Sequence, residues 1–146
     1  MTTGNISFAC EVQPTNNSIV LGLRVMLDQV TIFENAHVSE TVQIEHEISD
    51  DEGEHELTFE LFGKLTEHTK ITDTGKIVSD ALLEINNITL AGINLDQILP
   101  SLAVYHHDLN GSQVPADHKF YRNMGCNGTV RLKFTTPVYL WLLENM

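Results

Sequence analysis

The chain is written mainly at a period of two. Val42, Ile44, His46 and Ile48 alternate with Gln43, Glu45 and Glu47. Leu57, Phe59 and Leu61 alternate with Glu56, Thr58 and Glu60, and Val130, Leu132 and Phe134 with Arg131 and Lys133. An extended backbone sends successive side chains to opposite sides, so each row predicts a strand with one face in a core and one in water. Leu21, Leu23, Val25 and Leu27, with Arg24 and Asp28 opposite, make a fourth row. Leu83, Ile85 and Asn87, set against Leu82, Glu84 and Asn86, make a fifth. Turn-forming runs separate the rows: Pro14 to Ser18, Ser49 to Glu54, Asp73-Thr74-Gly75, Ala91-Gly92, Asn110-Gly111 and Cys126-Asn127-Gly128. Many short strands with frequent turns predict an all-β fold, an antiparallel β-sandwich of jelly-roll type, as a single domain over residues 1–146. Only Leu95 to Leu102 reads as a helical turn, and Pro100 keeps it short.

One segment breaks the alternation. From Val138 to Leu143, Val138, Leu140 and Leu142 form one apolar row, and Tyr139, Trp141 and Leu143 form the other. Read as a strand, it is apolar on both faces. It is then a central buried strand, a strand meeting another subunit, or a platform of Tyr139 and Trp141 for a ligand.

Composition narrows the class. With 146 residues, 42 % apolar and 19 % charged, the chain has the material for one ordinary globular core. Twenty acids against eight Lys and Arg give a net charge of -12, which repels a phosphate backbone and an anionic membrane surface. No apolar run approaches the roughly 20 residues of a membrane helix. The first residues show no basic region followed by an apolar stretch, so no secretory leader is expected, and Cys10 and Cys126 are expected to stay reduced. The charge is uneven. Glu34 to Glu67 holds eleven acids and one base, Lys64, while Lys119 to Lys133 holds four bases and no acid. The plainest reading pairs the strand of Arg131 and Lys133 with Glu45-Glu47 or with Glu56-Glu60. Opposite charges across a ladder contribute about 0.2–1 kcal/mol each, so the pattern serves strand register.

Signatures of catalysis are missing. There is no Gly-x-Ser-x-Gly elbow, phosphate-binding loop, Gly-x-Gly-x-x-Gly or His-Glu-x-x-His, and nothing near Cys10 or Cys126 builds a thiol nucleophile. The expectation is a protein that is not an enzyme. For metal, Asp50, Asp51, Glu52 and Glu54 cluster hard oxygen ligands in a turn, a candidate calcium site whose alternative is a solvated acidic hairpin. Asp108, Asn110 and Ser112 alternate like ligands, but Gly111 and Lys119 fall at the wrong positions for a helix–loop–helix calcium loop, which leaves a one-off calcium loop of the β-sandwich kind as the alternative. His106, His107 and His118 are the densest histidines. Neighbours on a strand face opposite ways, so at most one of the first two joins His118. Tyr105 and Tyr121 flank a polar loop. With His107, Asp108, Asn110 and Gln113 they form the candidate ligand-binding set, because a sugar's C–H face stacks on an aromatic ring while polar side chains take its hydroxyls.

Several runs carry a family resemblance. Glu54-His55-Glu56-Leu57-Thr58-Phe59-Glu60-Leu61, Glu67-His68-Thr69-Lys70-Ile71, Gly75-Lys76-Ile77-Val78 and Asp80-Ala81-Leu82-Leu83-Glu84-Ile85 resemble small β-sandwich proteins encoded by tailed phages of marine cyanobacteria. Phe120-Tyr121, Met124-Gly125-Cys126-Asn127-Gly128 and the run from Phe134 to Asn145 strengthen the match, which covers residues 38 to 146. The strand layout is similar, at the level of fold, to calcium-dependent carbohydrate-binding modules. The resemblance implies a non-catalytic viral module that recognises a glycan, with calcium as the one cofactor to expect. The alternative is a structural virion or assembly protein that packs on another virion protein or on copies of itself. It implies the host cytoplasm during infection, or the virion, as its location.

Overall fold

The computed structural model describes residues 4–15, 21–63, 70–71, 77–79, 82–107, 114–125 and 127–145. The alternating rows form strands. In one antiparallel sheet are β1 (Asn5–Pro14), β4 (Val42–Ser49), β8 (Leu83–Leu90), β9 (Ile93–Asn94) and β12 (Asn123–Met124). Its order is β12-β8-β1-β4, with β9 on β8. The second sheet contains β2 (Gly22–Leu27), β3 (Val30–Asn35), β5 (Gly53–Phe62), β10 (Val104–His107), β11 (Ala116–Lys119) and β13 (Gly128–Thr136). Its order is β11-β10-β13-β5-β2-β3. A short ladder joins β6 (Lys70–Ile71) to β7 (Ile77–Ser79). The inner rows of the two sheets share one core, in which the rings of Phe8 and Phe59 lie 6.3 Å apart. This is the antiparallel β-sandwich that the alternation predicts.

Register settles where the basic strand goes. β13 pairs with β5, placing Lys133 opposite Glu56 and Arg131 opposite Thr58. The other expected partner, the Glu45-Glu47 strand, lies in the opposite sheet against β1. On the same outer face Arg24 bridges Glu34 at 2.6 Å and Glu60 at 2.5 Å. The β2–β3 turn has Asp28 and Gln29 both at positive φ, 51° and 69°, the backbone of a tight two-residue hairpin.

The fifth row is only half right. Leu83 and Ile85 face the core, but so do Ile88 and Leu90, while Asn87 is exposed. An extra residue in β8 opposite Ala9 to Glu11, with Asn87 at φ 53°, shifts the phase. A bulge of this kind leaves backbone groups without a ladder partner. Here the carboxylate of Asp96 takes them, accepting from the amides of Asn87 at 2.9 Å and Ile88 at 3.0 Å. Beneath the bulge lies Cys10, a free and buried thiol. Burial, followed by the negative charge of Asp96, pushes it up to about 12, so it supplies no thiolate at neutral pH.

The expected strand at Val138 to Leu143 is instead a helix, α2 (Val138–Asn145). Val138, Trp141 and Leu142 are its buried residues, spaced i, i+3, i+4 as a helix face requires. Trp141 is 7 % exposed and meets Phe134 of β13 edge-on at 6.1 Å. It therefore packs within its own chain, not on a neighbour. Tyr139, Leu140 and Leu143 face outward. The helical turn expected before β10 is α1 (Leu99–Leu102), with Pro100 in its first turn, where no amide donor is missed. No helix among the described residues is long and apolar enough to cross a membrane.

Candidate functional site

The outer face of the six-stranded sheet carries a groove of about 440 Å³, lined by Glu56, Leu102, Val104, His106, Asp117, Arg131 and Lys133. Its walls follow from strand alternation. With Tyr105 and His107 turned inward, Val104 and His106 point out of β10. Arg131 and Lys133 are the outward residues of β13 beside them, and Val104 stands opposite Arg131. Asp117 on β11 reaches back to His106, Oδ1 to Nδ1 at 2.8 Å. Glu56 closes the far side from β5, and Leu102 of α1 caps one end.

A second cavity of about 490 Å³ adjoins it, sharing Glu56 and Lys133 and lined further by Asp28, Glu54, His55, Phe134, Thr135 and Trp141. The two cavities meet at Glu56 and Lys133, and the second turns round the end of the sheet toward α2 and the β2–β3 turn.

The second cavity contains a relay. Asp28 Oδ2 lies 2.7 Å from His55 Nδ1, and His55 Nε2 lies 3.2 Å from Thr136 Oγ1. An acid, an imidazole and a hydroxyl in this order have the form of an acyl-transfer triad. The hydroxyl does not serve as one. Thr136 is buried and donates its proton to the carbonyl of Asp51. The relay instead ties the β2–β3 turn to β5 and β13. Desolvation raises the Asp28 carboxyl, but hydrogen bonds from His55 and the Glu56 amide, with the charge of His55, outweigh it and hold the group below its ordinary value. A lowered folded value stabilises the fold above the unfolded pKa, and that contribution fades as pH falls through the folded one. The stability gap between the native protein and Asp28→Asn is therefore expected at neutral pH and to close below about pH 4. Urea midpoints at neutral and acid pH check this. Asparagine tolerates the left-handed backbone at residue 28, so the turn itself is kept.

Of the residues expected from sequence to bind ligand, the three that the structure describes, Tyr105, His107 and Tyr121, do not line these two cavities. Tyr105 is 5 % exposed, its ring against His107 at 4.4 Å and edge-on to Phe120 at 6.3 Å. It is a core residue, one position out of phase with the groove. His107 is buried beside it and stacks on His118 at 4.2 Å, so of the two adjacent histidines it is His107 that meets His118. Tyr121 is 62 % exposed, ahead of β12, and lines neither cavity. Asp108, Asn110 and Gln113 lie outside the described residues.

The acidic turn also has other duties. Asp50 Oδ1 accepts from the amide of Val138 at 2.8 Å and so caps the start of α2. The Asp51 carbonyl receives the Thr136 hydroxyl. Asp51 and Glu52 are exposed, and Glu54 lines the second cavity. Among the described residues no three His, Cys, Asp or Glu side chains come together to hold a metal ion. Of Asp50, Asp51, Glu52 and Glu54, the candidate calcium set, Asp50 is engaged at the start of α2. What sequence reasoning passed over was the groove itself. Arg131, Lys133 and Glu56 were visible as a charged ladder, and their outward position was the available signal.

No protein-family model matches the chain, and no curated protein matches it in sequence. Among solved structures, the selenomethionine form of vCBM60 superposes with a TM-score of 0.50 at 11 % identity, over 87 % of this chain and 89 % of that one. That work is described as a link by circular permutation between two families of calcium-dependent carbohydrate-binding modules. A vCBM60 complex with galactobiose superposes with a TM-score of 0.46 at 12 % identity, over 88 % of this chain and 97 % of that one. What the likeness establishes is the fold.

Proposed function

We propose that the protein is a non-catalytic carbohydrate-binding module and that the groove on the outer face of the six-stranded sheet is its binding site. The observation that carries the reading is the groove's lining. A sugar offers hydroxyls on its rim and C–H groups on its faces. The groove sets Glu56, His106, Asp117, Arg131 and Lys133 around exposed Val104 and half-buried Leu102, an apolar floor with donors and acceptors at its edge. The similarity of fold to a carbohydrate-binding module supports the same reading. Such a shallow site binds weakly as one copy and gains from repetition.

A glycan array tests this. The native protein is expected to bind at least one oligosaccharide, in chelator as well as in calcium. Val104→Asp, which puts a charge on the exposed floor, is expected to lower that signal about tenfold or more, while Tyr121→Ala leaves it unchanged. Silence across the array overturns the proposal. Loss with Tyr121→Ala but not Val104→Asp moves the site away from the groove.

A further inference from the structure

Resting on that reading, we infer that the groove selects acidic saccharides, those carrying a carboxylate or sulfate on the ring. The reason is the state of its cations. Arg24 is held between Glu34 and Glu60, and Arg122 reaches Asp96. Arg131 and Lys133 are different. They stand next but one on β13, both exposed, and among the described residues neither is paired with a carboxylate. Two acids share the groove, but Asp117 is engaged by His106 at 2.8 Å. Glu56 is left opposite Lys133 in register, which leaves the guanidinium of Arg131 unanswered. Lys119 flanks Val104 from the other side, directly across β10 from Arg131. In a chain with 20 acids and 8 bases, Lys119, Arg131 and Lys133 on neighbouring strands of the outer face, besides the paired Arg24, are a local exception.

Range decides which charge a ligand feels. At physiological ionic strength the screening length is about 8 Å, so the protein's net negative charge is largely screened while contacts within the groove are not. A planar guanidinium offers two parallel N–H donors that match a carboxylate, and a second cation nearby adds a charge-assisted bond. A neutral sugar over the same site would desolvate those cations without a counter-charge. An extended polyanion such as nucleic acid would run past the groove toward the acids of the adjoining cavity, Asp28 and Glu54.

The test is an array of uronic-acid and sulfated oligosaccharides beside their neutral counterparts, probed with the native protein, Arg131→Gln, Lys133→Gln and the control Arg24→Gln. All three positions are on the outer face, and circular dichroism checks that each variant folds. Acidic glycans are expected to be bound, about tenfold less by either groove variant, and equally by the control. Binding of neutral glycans only, or acidic binding indifferent to both groove substitutions, overturns this inference and leaves the glycan reading standing. Silence across acidic and neutral glycans alike overturns the reading beneath it.

Discussion

Replacing Gly128 with alanine will destabilise the protein by about 3 kcal/mol. At this position β13 begins beside the end of β10, and a Cβ would stand 2.2 Å from the carbonyl oxygen of His106 and 2.9 Å from the Cβ of His107. The first obstacle is backbone, so no side-chain rotation relieves it. The β10–β13 ladder has to open at that end, and His106 goes with it. Gly4→Ala is the contrast, since a Cβ there meets nothing within 4 Å. Urea unfolding measures both. Gly128→Ala is also expected to lower glycan binding, since His106 lines the groove. A stability equal to the native protein's would mean that the two strands separate freely at Gly128.

The Asp96→Ala variant is expected to lose a similar amount, about 3 kcal/mol, by a different route. The carboxylate is only 13 % exposed and serves both amides of the β8 bulge, with the Arg122 guanidinium at 3.5 Å. A hydrogen bond to a charged acceptor contributes about 1.5–3 kcal/mol, and the Ile88 amide is partly buried, where an unmet donor is costly. Asp96→Asn keeps one acceptor oxygen and is expected to lose about half as much. Denaturant titration of the three proteins gives the order. If alanine and asparagine cost the same small amount, water replaces the carboxylate and the bulge stands unaided.

Much of the fold was written in the chain, and the exceptions have causes. β4, β5 and β13 are readable because each has a core on one side and water on the other. α2 is not, because Val138 and Leu140 to Leu143 are apolar at neighbouring positions, a run that satisfies either period. Its helical state depends on tertiary partners, Asp50 at its start and Phe134 beneath Trp141. β3 is obscured by the register shift between Val25 and Met26, which spoils its alternation. Asn87 is misplaced in the fifth row because the bulge inserts one residue, and period-two counting has no means to see it. The site was the least readable part. Tyr105 and His106 differ by one step along β10, and that step decides core or groove. Apart from Leu102, Val104 and His106, the lining comes from positions 56, 117, 131 and 133. They meet only because the sheet runs β11-β10-β13-β5, an order that no local pattern encodes.

Among the described residues, the eight-residue β4 ends its sheet with one side unpaired. Such a row of free amides and carbonyls is a template on which another chain's strand can grow. Its exposed positions include Glu45 and Glu47. If two copies approached edge to edge, these carboxylates would be brought together, on molecules that already carry a charge of -12 each. The acid surplus thus acts as colloidal protection, keeping an open strand from seeding fibrous stacks.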